Sequence, residues 1–66
     1  MHKNLFYEVM SLKPDYRVII LLYYYEGYSI GEISKLLCLP TGTVGTRLSR
    51  ARNQLKTKLL EVWFDD

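Results

Sequence analysis

The chain has 66 residues, of which 48% are hydrophobic, and its nine basic and seven acidic residues give a formal net charge of +2. This length allows one domain over residues 1–66 with one small core, and the apolar content is too high for a disordered chain. A single cysteine, Cys38, and a single histidine, His2, exclude an internal disulfide and give no Cys/His cluster at metal-ligand spacing.

Two helices are predicted in the first half of the chain. Apolar residues at helical spacing predict the first over Lys3–Ser11. The second begins at Pro14, whose fixed φ suits the first helical position, and ends at Glu26, because Gly27 is a natural C-terminal cap. Residues 18–25 are apolar almost all round, a pattern that a buried strand also shows. The segment's length, its initial proline and its terminal glycine favour the helix.

A capping box marks the start of the third helix. The Ser29 hydroxyl is placed to accept from the amide three residues on, while the Glu32 carboxylate reaches back to the Ser29 amide. This helix must end near Cys38, because Pro40 disfavours helical geometry in the residue before it.

The fourth helix is predicted to begin with Thr41 as its N-cap. An apolar stripe at alternating steps of four and three residues faces the core. It consists of Val44, Leu48, Ala51, Leu55, Leu59 and Val62. The opposite stripe contains no large apolar group, and consists of Gly42, Thr46, Ser49, Arg50, Asn53 and Thr57.

Charge is segregated along the chain. No acidic residue occurs between Ile33 and Leu60, a stretch that contains six lysines and arginines. Such a stretch is typical of a surface that meets phosphate, although a solvated basic face with no partner shows the same pattern.

The third and fourth helices with their short connection form a helix-turn-helix, whose second helix enters the major groove of DNA. Short Thr and Ser side chains allow close approach to base edges, Arg pairs with guanine, and flanking cations neutralise phosphates. A helical hairpin packed on another protein is the alternative, because this geometry alone does not entail DNA binding.

Two runs of the sequence carry a resemblance to a known family. They are LKPDYRVIILLYYYEGYSIGEIS, residues 12–34, and GTVGTRLSRARNQL, residues 42–55. Together they resemble region 4 of the bacterial sigma-70 factors, and especially the short extracytoplasmic-function (ECF) class. The resemblance covers almost the entire chain after the first helix.

The resemblance implies an all-α fold of four helices with a C-terminal helix-turn-helix and no wing, as one part of a longer sigma factor. In that family the domain recognises the upstream (−35) promoter element and packs against the flap-tip helix of the RNA polymerase β subunit. The implied partners are double-stranded promoter DNA and the polymerase core, with an anti-sigma factor as a further one. A monomer is expected.

The resemblance also assigns site residues. Carried over by position, the base-contacting residues are Thr43, Thr46, Ser49 and Arg50, and Arg47 lies beside the DNA backbone. Thr41 and the first amides of its helix are expected to meet a phosphate, since a helix N-terminus attracts anions. Lys35, Lys56 and Lys58 are candidate phosphate contacts, although exposed lysines often only solubilise. Arg52 lies nearer the core side and is interpreted as a structural ion-pair or phosphate residue.

Three positions depart from the family pattern. Gly45 stands where Lys or Arg is common, which removes an expected DNA contact and costs the helix roughly 1 kcal/mol relative to Ala. Cys38 occupies a turn position usually given to Gly, so it is expected to adopt a left-handed conformation. Ser34 replaces a small Ala, and its hydroxyl is expected to bond back to its own helix.

Other readings stay open. The chain is alternatively an interaction module that binds polymerase or an anti-sigma factor without DNA, or the output domain of another transcription regulator, which usually dimerises on DNA. The tyrosines at positions 23, 24, 25 and 28 suggest a base-stacking platform, but such residues more often fill a core or line a docking surface. A turn thiol such as Cys38 is more often inert than redox-active.

The sequence shows no catalytic arrangement. It has no pair of carboxylates in one motif and no nucleophile with its base, so an enzyme is not expected. No cofactor is predicted. No apolar run is long enough to span a membrane, and the start lacks a signal peptide, so we expect a cytoplasmic protein with no membrane partner.

Overall fold

A computed structural model describes the backbone of residues 5–64 and the side chains of residues 5–58. This part of the chain is helical and contains no strand. Its elements are α1 (Leu5–Met10), α2 (Pro14–Ile20) continued by a π-helical turn (Leu21–Tyr25), α3 (Ile30–Leu37) and α4 (Thr41–Phe64). The predicted all-α fold of four helices is confirmed. The predicted start of the first helix at Lys3, and His2, lie outside the described residues.

Helix α2 begins at the predicted Pro14, and together with its π-helical turn it reaches Tyr25, one residue before the predicted end at Glu26, but this last turn is not α-helical. Pro14 occupies the first turn. From Leu21 the helix widens into a π-helical turn, closed by the Glu26 amide donating to the Leu21 carbonyl at 3.0 Å, five residues back. Gly27 then reverses the chain with a φ of +77°, a conformation that glycine adopts without steric cost. The possible strand over residues 18–25 is therefore excluded.

The core lies between α4 and the other three helices, because α4 packs against α1, α2 and α3. Its buried hydrophobic residues are Val9, Leu12, Ile19, Ile20, Ile33, Val44, Leu48, Ala51 and Leu55. Full burial of a Val, Leu or Ile side chain contributes about 1.5–3 kcal/mol, so this cluster is the main favourable term in folding. In the predicted apolar stripe of α4, the four residues from Val44 to Leu55 are buried as expected. Leu59 and Val62 lie outside the described side chains.

Helix α1 places its residues in an unusual orientation. Glu8 is buried with only 3% of its surface exposed, while Phe6, Tyr7 and Met10 are exposed. The Phe6 ring meets the Tyr25 ring edge to face, with 6.1 Å between the ring centroids. An aromatic and aliphatic surface therefore extends from α1 to the π-helical turn.

Candidate DNA-binding surface

The first helix of the helix-turn-helix, α3, begins with the predicted capping box. The Glu32 amide donates to the Ser29 hydroxyl at 3.1 Å, and the Ser29 amide donates to a Glu32 carboxylate oxygen at 2.9 Å. These two bonds satisfy amides that have no partner inside the helix. The bond from the Ser29 amide is the main cause that lowers the pKa of Glu32, followed by the Ser29 hydroxyl and the charge of Lys35.

The turn after α3 is built on Cys38, which adopts the expected left-handed conformation with φ 55° and ψ 45°. The Leu39 amide donates to the Ser34 carbonyl at 3.0 Å and the Cys38 amide to the Lys35 carbonyl at 3.4 Å. This pair of bonds is the Schellman arrangement, which satisfies the last carbonyls of a helix. The prediction that the Ser34 hydroxyl bonds back to its own helix is wrong. The hydroxyl donates across the turn to the Leu39 carbonyl.

The prediction that Thr41 is the N-cap of α4 is also wrong. The helix already includes Thr41, and its first hydrogen bond runs from the Val44 amide to the Pro40 carbonyl at 3.1 Å. The residue whose carbonyl accepts the first intrahelical bond is the N-cap, and this residue is Pro40. The φ that the proline ring fixes is compatible with this position, which follows Leu39 at the end of the turn. Thr41 becomes the first residue inside the helix, and it is exposed.

Helix α4 presents the predicted polar stripe to solvent. All six of its residues are exposed: Gly42, Thr46, Ser49, Arg50, Asn53 and Thr57. Thr43 and Arg47 are half-buried beside this stripe. A shallow, open depression is lined by Gly42, Thr43, Thr46, Arg47 and Arg50. The structure therefore brings together three of the four predicted base-contacting residues with the predicted backbone contact Arg47, and Ser49 lies on the same exposed face.

The remaining candidate phosphate contacts occupy two helices. Lys35 is exposed in the last turn of α3, where a cation also interacts favourably with the helix dipole. Lys56 is exposed beyond the polar stripe of α4. Both side chains are accessible to a phosphate.

Two cations of α4 contact the body of the domain. Arg52 donates through Nη1 to the Tyr24 hydroxyl at 3.0 Å, and Lys58 donates through Nζ to Ser11 Oγ at 2.9 Å. Arg52 is thus bonded within the protein, as expected for a structural residue, but its partner is a phenol and not a carboxylate. The sequence does not predict Tyr24 and Ser11 as the partners of these cations, because they lie 28 and 47 positions from the residues that they bind.

Gly45 leaves an open place beside the polar stripe. A Cβ atom built at this position meets nothing within 4 Å. The domain therefore gains no packing from the absence of a side chain here, and the common Lys or Arg of the family pattern would fit.

The tyrosines divide between core and surface. Tyr23 is half-buried and packs against the core, while Tyr24, Tyr25 and Tyr28 are exposed. Cys38 carries a free, exposed thiol. Over the described residues, no group of three or more His, Cys, Asp or Glu side chains is arranged to hold a metal ion. None of the helices described between residues 5 and 64 is long and apolar enough to cross a membrane.

The capped α3, the left-handed turn and the polar face of α4 define a helix-turn-helix domain. Residues 5–55 match the family described as Sigma-70, region 4. The chain belongs to this family of sigma factors, whose members are transcription factors and not enzymes.

Two curated relatives agree with this assignment. The chain is 36% identical over 55 residues to the ECF RNA polymerase sigma factor SigW of Bacillus subtilis, an alignment that covers 83% of this chain and 29% of SigW. It is 46% identical over 55 residues to the probable RNA polymerase sigma factor RfaY of Xanthomonas campestris, covering 82% of this chain and 14% of RfaY. The likeness to SigW supports the ECF type. The chain spans less than a third of the length of either relative, and no solved structure gives a significant match.

Proposed function

We propose that this chain is the part of a sigma factor that binds the −35 promoter element, with α4 in the major groove. The observation that carries the proposal is the exposed polar stripe of α4, which is anchored from behind by a buried apolar stripe. Promoter recognition by binding alone needs no catalytic group and no cofactor.

The chemistry of the stripe suits base reading. Thr43, Thr46 and Ser49 have short side chains, so the helix backbone can approach the base edges closely. Arg50 lines the depression together with Thr43 and Thr46, and its guanidinium can donate two hydrogen bonds to one guanine. The flanking cations Arg47, Lys35 and Lys56, and the exposed Thr41 at the helix start, are proposed as backbone contacts that fix the register of the helix on the duplex.

A titration with DNA tests this function. The unmodified chain is titrated by fluorescence anisotropy against duplexes selected from a randomised library, at several salt concentrations. Affinity should depend on sequence and fall steeply as salt increases, because phosphate contacts release counterions. Replacing Arg50 by Ala should cost about 1–3 kcal/mol and relax the preference at one base pair. Lys13→Ala, which removes an exposed cation just before α2, is the matched control and should leave the preference unchanged.

Equal affinity of the unmodified chain for every duplex contradicts sequence-specific recognition. Absence of binding even at low salt favours the interaction module that contacts protein and no DNA. A dimer on DNA, detected by sedimentation, favours another transcription regulator, because the sigma assignment predicts a monomer.

A second surface favours a protein partner. The exposed apolar residues of α1, together with Tyr25, form a continuous surface in the described part of the chain. Aromatic residues and methionine are enriched at protein interfaces. We propose that this surface contacts RNA polymerase, whose β flap is the expected site, or an anti-sigma factor that competes for it. Phe6→Ser should weaken capture of a purified β-flap fragment and leave DNA binding intact; unchanged capture contradicts this docking surface.

A further inference from the structure

We infer that Arg52 and Lys58 are positioning residues that fix the rotation of α4 about its own axis, and not phosphate contacts. Each donates a hydrogen bond to a hydroxyl on the body of the domain. The inference rests on the proposed function, because the rotation of this helix decides which side chains face the bases.

The acceptor for Arg52, the Tyr24 hydroxyl, belongs to a side chain that is connected to the core through Tyr23. Tyr24 lies in the π-helical turn, and its ring meets the Tyr23 ring edge to face with 4.9 Å between centroids. Tyr23 in turn packs against the buried cluster. A π-helical turn accommodates an extra residue, which changes the direction of the following side chains relative to an α-helix. The Tyr24 hydroxyl, which accepts from Arg52 at 3.0 Å, is therefore on a ring that is held in place by Tyr23.

The acceptor for Lys58 is fixed at the end of α1. The Ser11 hydroxyl donates its proton to the Glu8 carbonyl at 2.7 Å, which leaves its lone pairs for a donor. The Ser11 amide is bonded to the carbonyls of Tyr7 and Glu8, both at 3.2 Å. Lys58, which can only donate, reaches this oxygen at 2.9 Å and is half-buried.

The two bonds lie on opposite flanks of the buried stripe. At about 100° per residue, Arg52 and Lys58 project roughly 60° to either side of the line through Val44, Leu48 and Leu55. Apolar burial is non-directional, whereas a hydrogen bond weakens steeply when its angle changes. One bond on each flank therefore resists rotation of α4 in both directions.

Removal of the acceptors tests the role without changing any charge. The double variant Tyr24→Phe with Ser11→Ala keeps both cations but removes the oxygens that hold them. We expect roughly fivefold weaker binding to the preferred duplex. This factor corresponds to the net contribution of about one hydrogen bond that holds α4 in its binding orientation. Binding to unrelated duplexes and the salt dependence should not change, because the number of phosphate contacts is the same. Tyr28→Phe is the matched control, since it removes a hydroxyl from an exposed tyrosine outside the proposed docking surface.

The opposite pattern overturns the inference. If the double variant binds its preferred duplex as tightly as the unmodified chain, the bonds do not position α4. The salt slope is the slope of the logarithm of DNA affinity against the logarithm of salt concentration. If the double variant Arg52→Gln with Lys58→Gln lowers the magnitude of this slope by about two, these cations contact phosphates. Lys56→Gln provides the reference, because an exposed phosphate contact should lower that slope by about one.

A measurement without DNA separates this inference from the proposed function. Residual dipolar couplings of the backbone N–H and Cα–Hα bonds report the orientation of α4 relative to α2 and α3 in the free chain, and the Cα–Hα couplings respond to rotation of α4 about its own axis. The double variant should change the couplings of α4 and retain those within α2 and α3. Unchanged couplings overturn the positioning role even if the chain binds DNA, whereas failure of the unmodified chain to bind DNA overturns only the proposed function.

Discussion

Ser34 and Leu39 are joined by two hydrogen bonds of opposite direction across the turn of the helix-turn-helix. The Leu39 amide donates to the Ser34 carbonyl at 3.0 Å, and the Ser34 hydroxyl donates to the Leu39 carbonyl. The pair encloses the left-handed residue Cys38 and sets the direction in which α4 leaves the turn.

Loss of the Ser34 hydroxyl should destabilise the domain. Ser34→Ala leaves the half-buried Leu39 carbonyl without this donor, at a cost of about 1 kcal/mol in the free energy of unfolding measured with urea. Ser49→Ala is the control: this serine is exposed on α4, and alanine is the better helix former, so stability should be unchanged or slightly higher. An equal effect of the two substitutions would show that the turn bond contributes nothing.

Glycine at position 38 should stabilise the turn. A left-handed conformation costs an L-residue roughly 1–2 kcal/mol, and glycine does not incur this cost. Part of the gain is lost to the greater freedom of glycine in the unfolded chain, so Cys38→Gly should raise the free energy of unfolding by about 1 kcal/mol. Cys38→Val should lower it, because β-branched residues tolerate this conformation poorly. The prediction fails if urea denaturation ranks valine above glycine.

A side chain at position 45 should strengthen both the helix and DNA binding. Gly45→Ala fills open space and should raise the free energy of unfolding by up to about 1 kcal/mol. Gly45→Arg should add a phosphate contact as well, which increases the salt slope of DNA binding by about one relative to Gly45→Ala. Equal slopes for the two variants would mean that this position does not face the DNA backbone.

The capping box should make stability sensitive to acid. Its bonds lower the pKa of Glu32 in the folded state, so the stabilisation is fully present above the ordinary glutamate pKa. It is lost as the pH falls through the lowered folded-state value, because protonation removes the charge that the Ser29 amide favours. Glu32→Gln retains an acceptor that does not titrate. Urea midpoints measured from neutral pH downward should therefore fall more steeply for the unmodified chain than for this variant, and parallel curves would contradict the prediction.

Features with a local cause were predictable from the sequence. The capping box follows from Ser29 and Glu32 three residues apart, and the end of α2 follows from Gly27. The left-handed Cys38 was expected from a family pattern that places glycine there. The two stripes of α4 follow from helical spacing alone, and the side chains described up to Leu55 obey it.

Features that depend on competition between neighbours or on distant partners were not predictable. Thr41 has the better capping side chain, but the first hydrogen bond of α4 is accepted by the Pro40 carbonyl, so the helix begins one residue earlier than the capping preference indicates. The π-helical turn lies within an apolar run that fits an α-helix equally well. The bond between Arg52 and Tyr24 depends on how α4 lies across α2, which no local pattern encodes.

The outward and inward stripes of α4 share no residue, and this separation affects how such a domain can evolve. A substitution among the outward residues alters no contact of the buried cluster, so under the proposed function the DNA sequence that is preferred can change while folding remains intact. Conversely, inward substitutions that conserve the core volume and the orientation of α4 leave the outward side chains in place. One side of a single helix can therefore diverge while the architecture is kept.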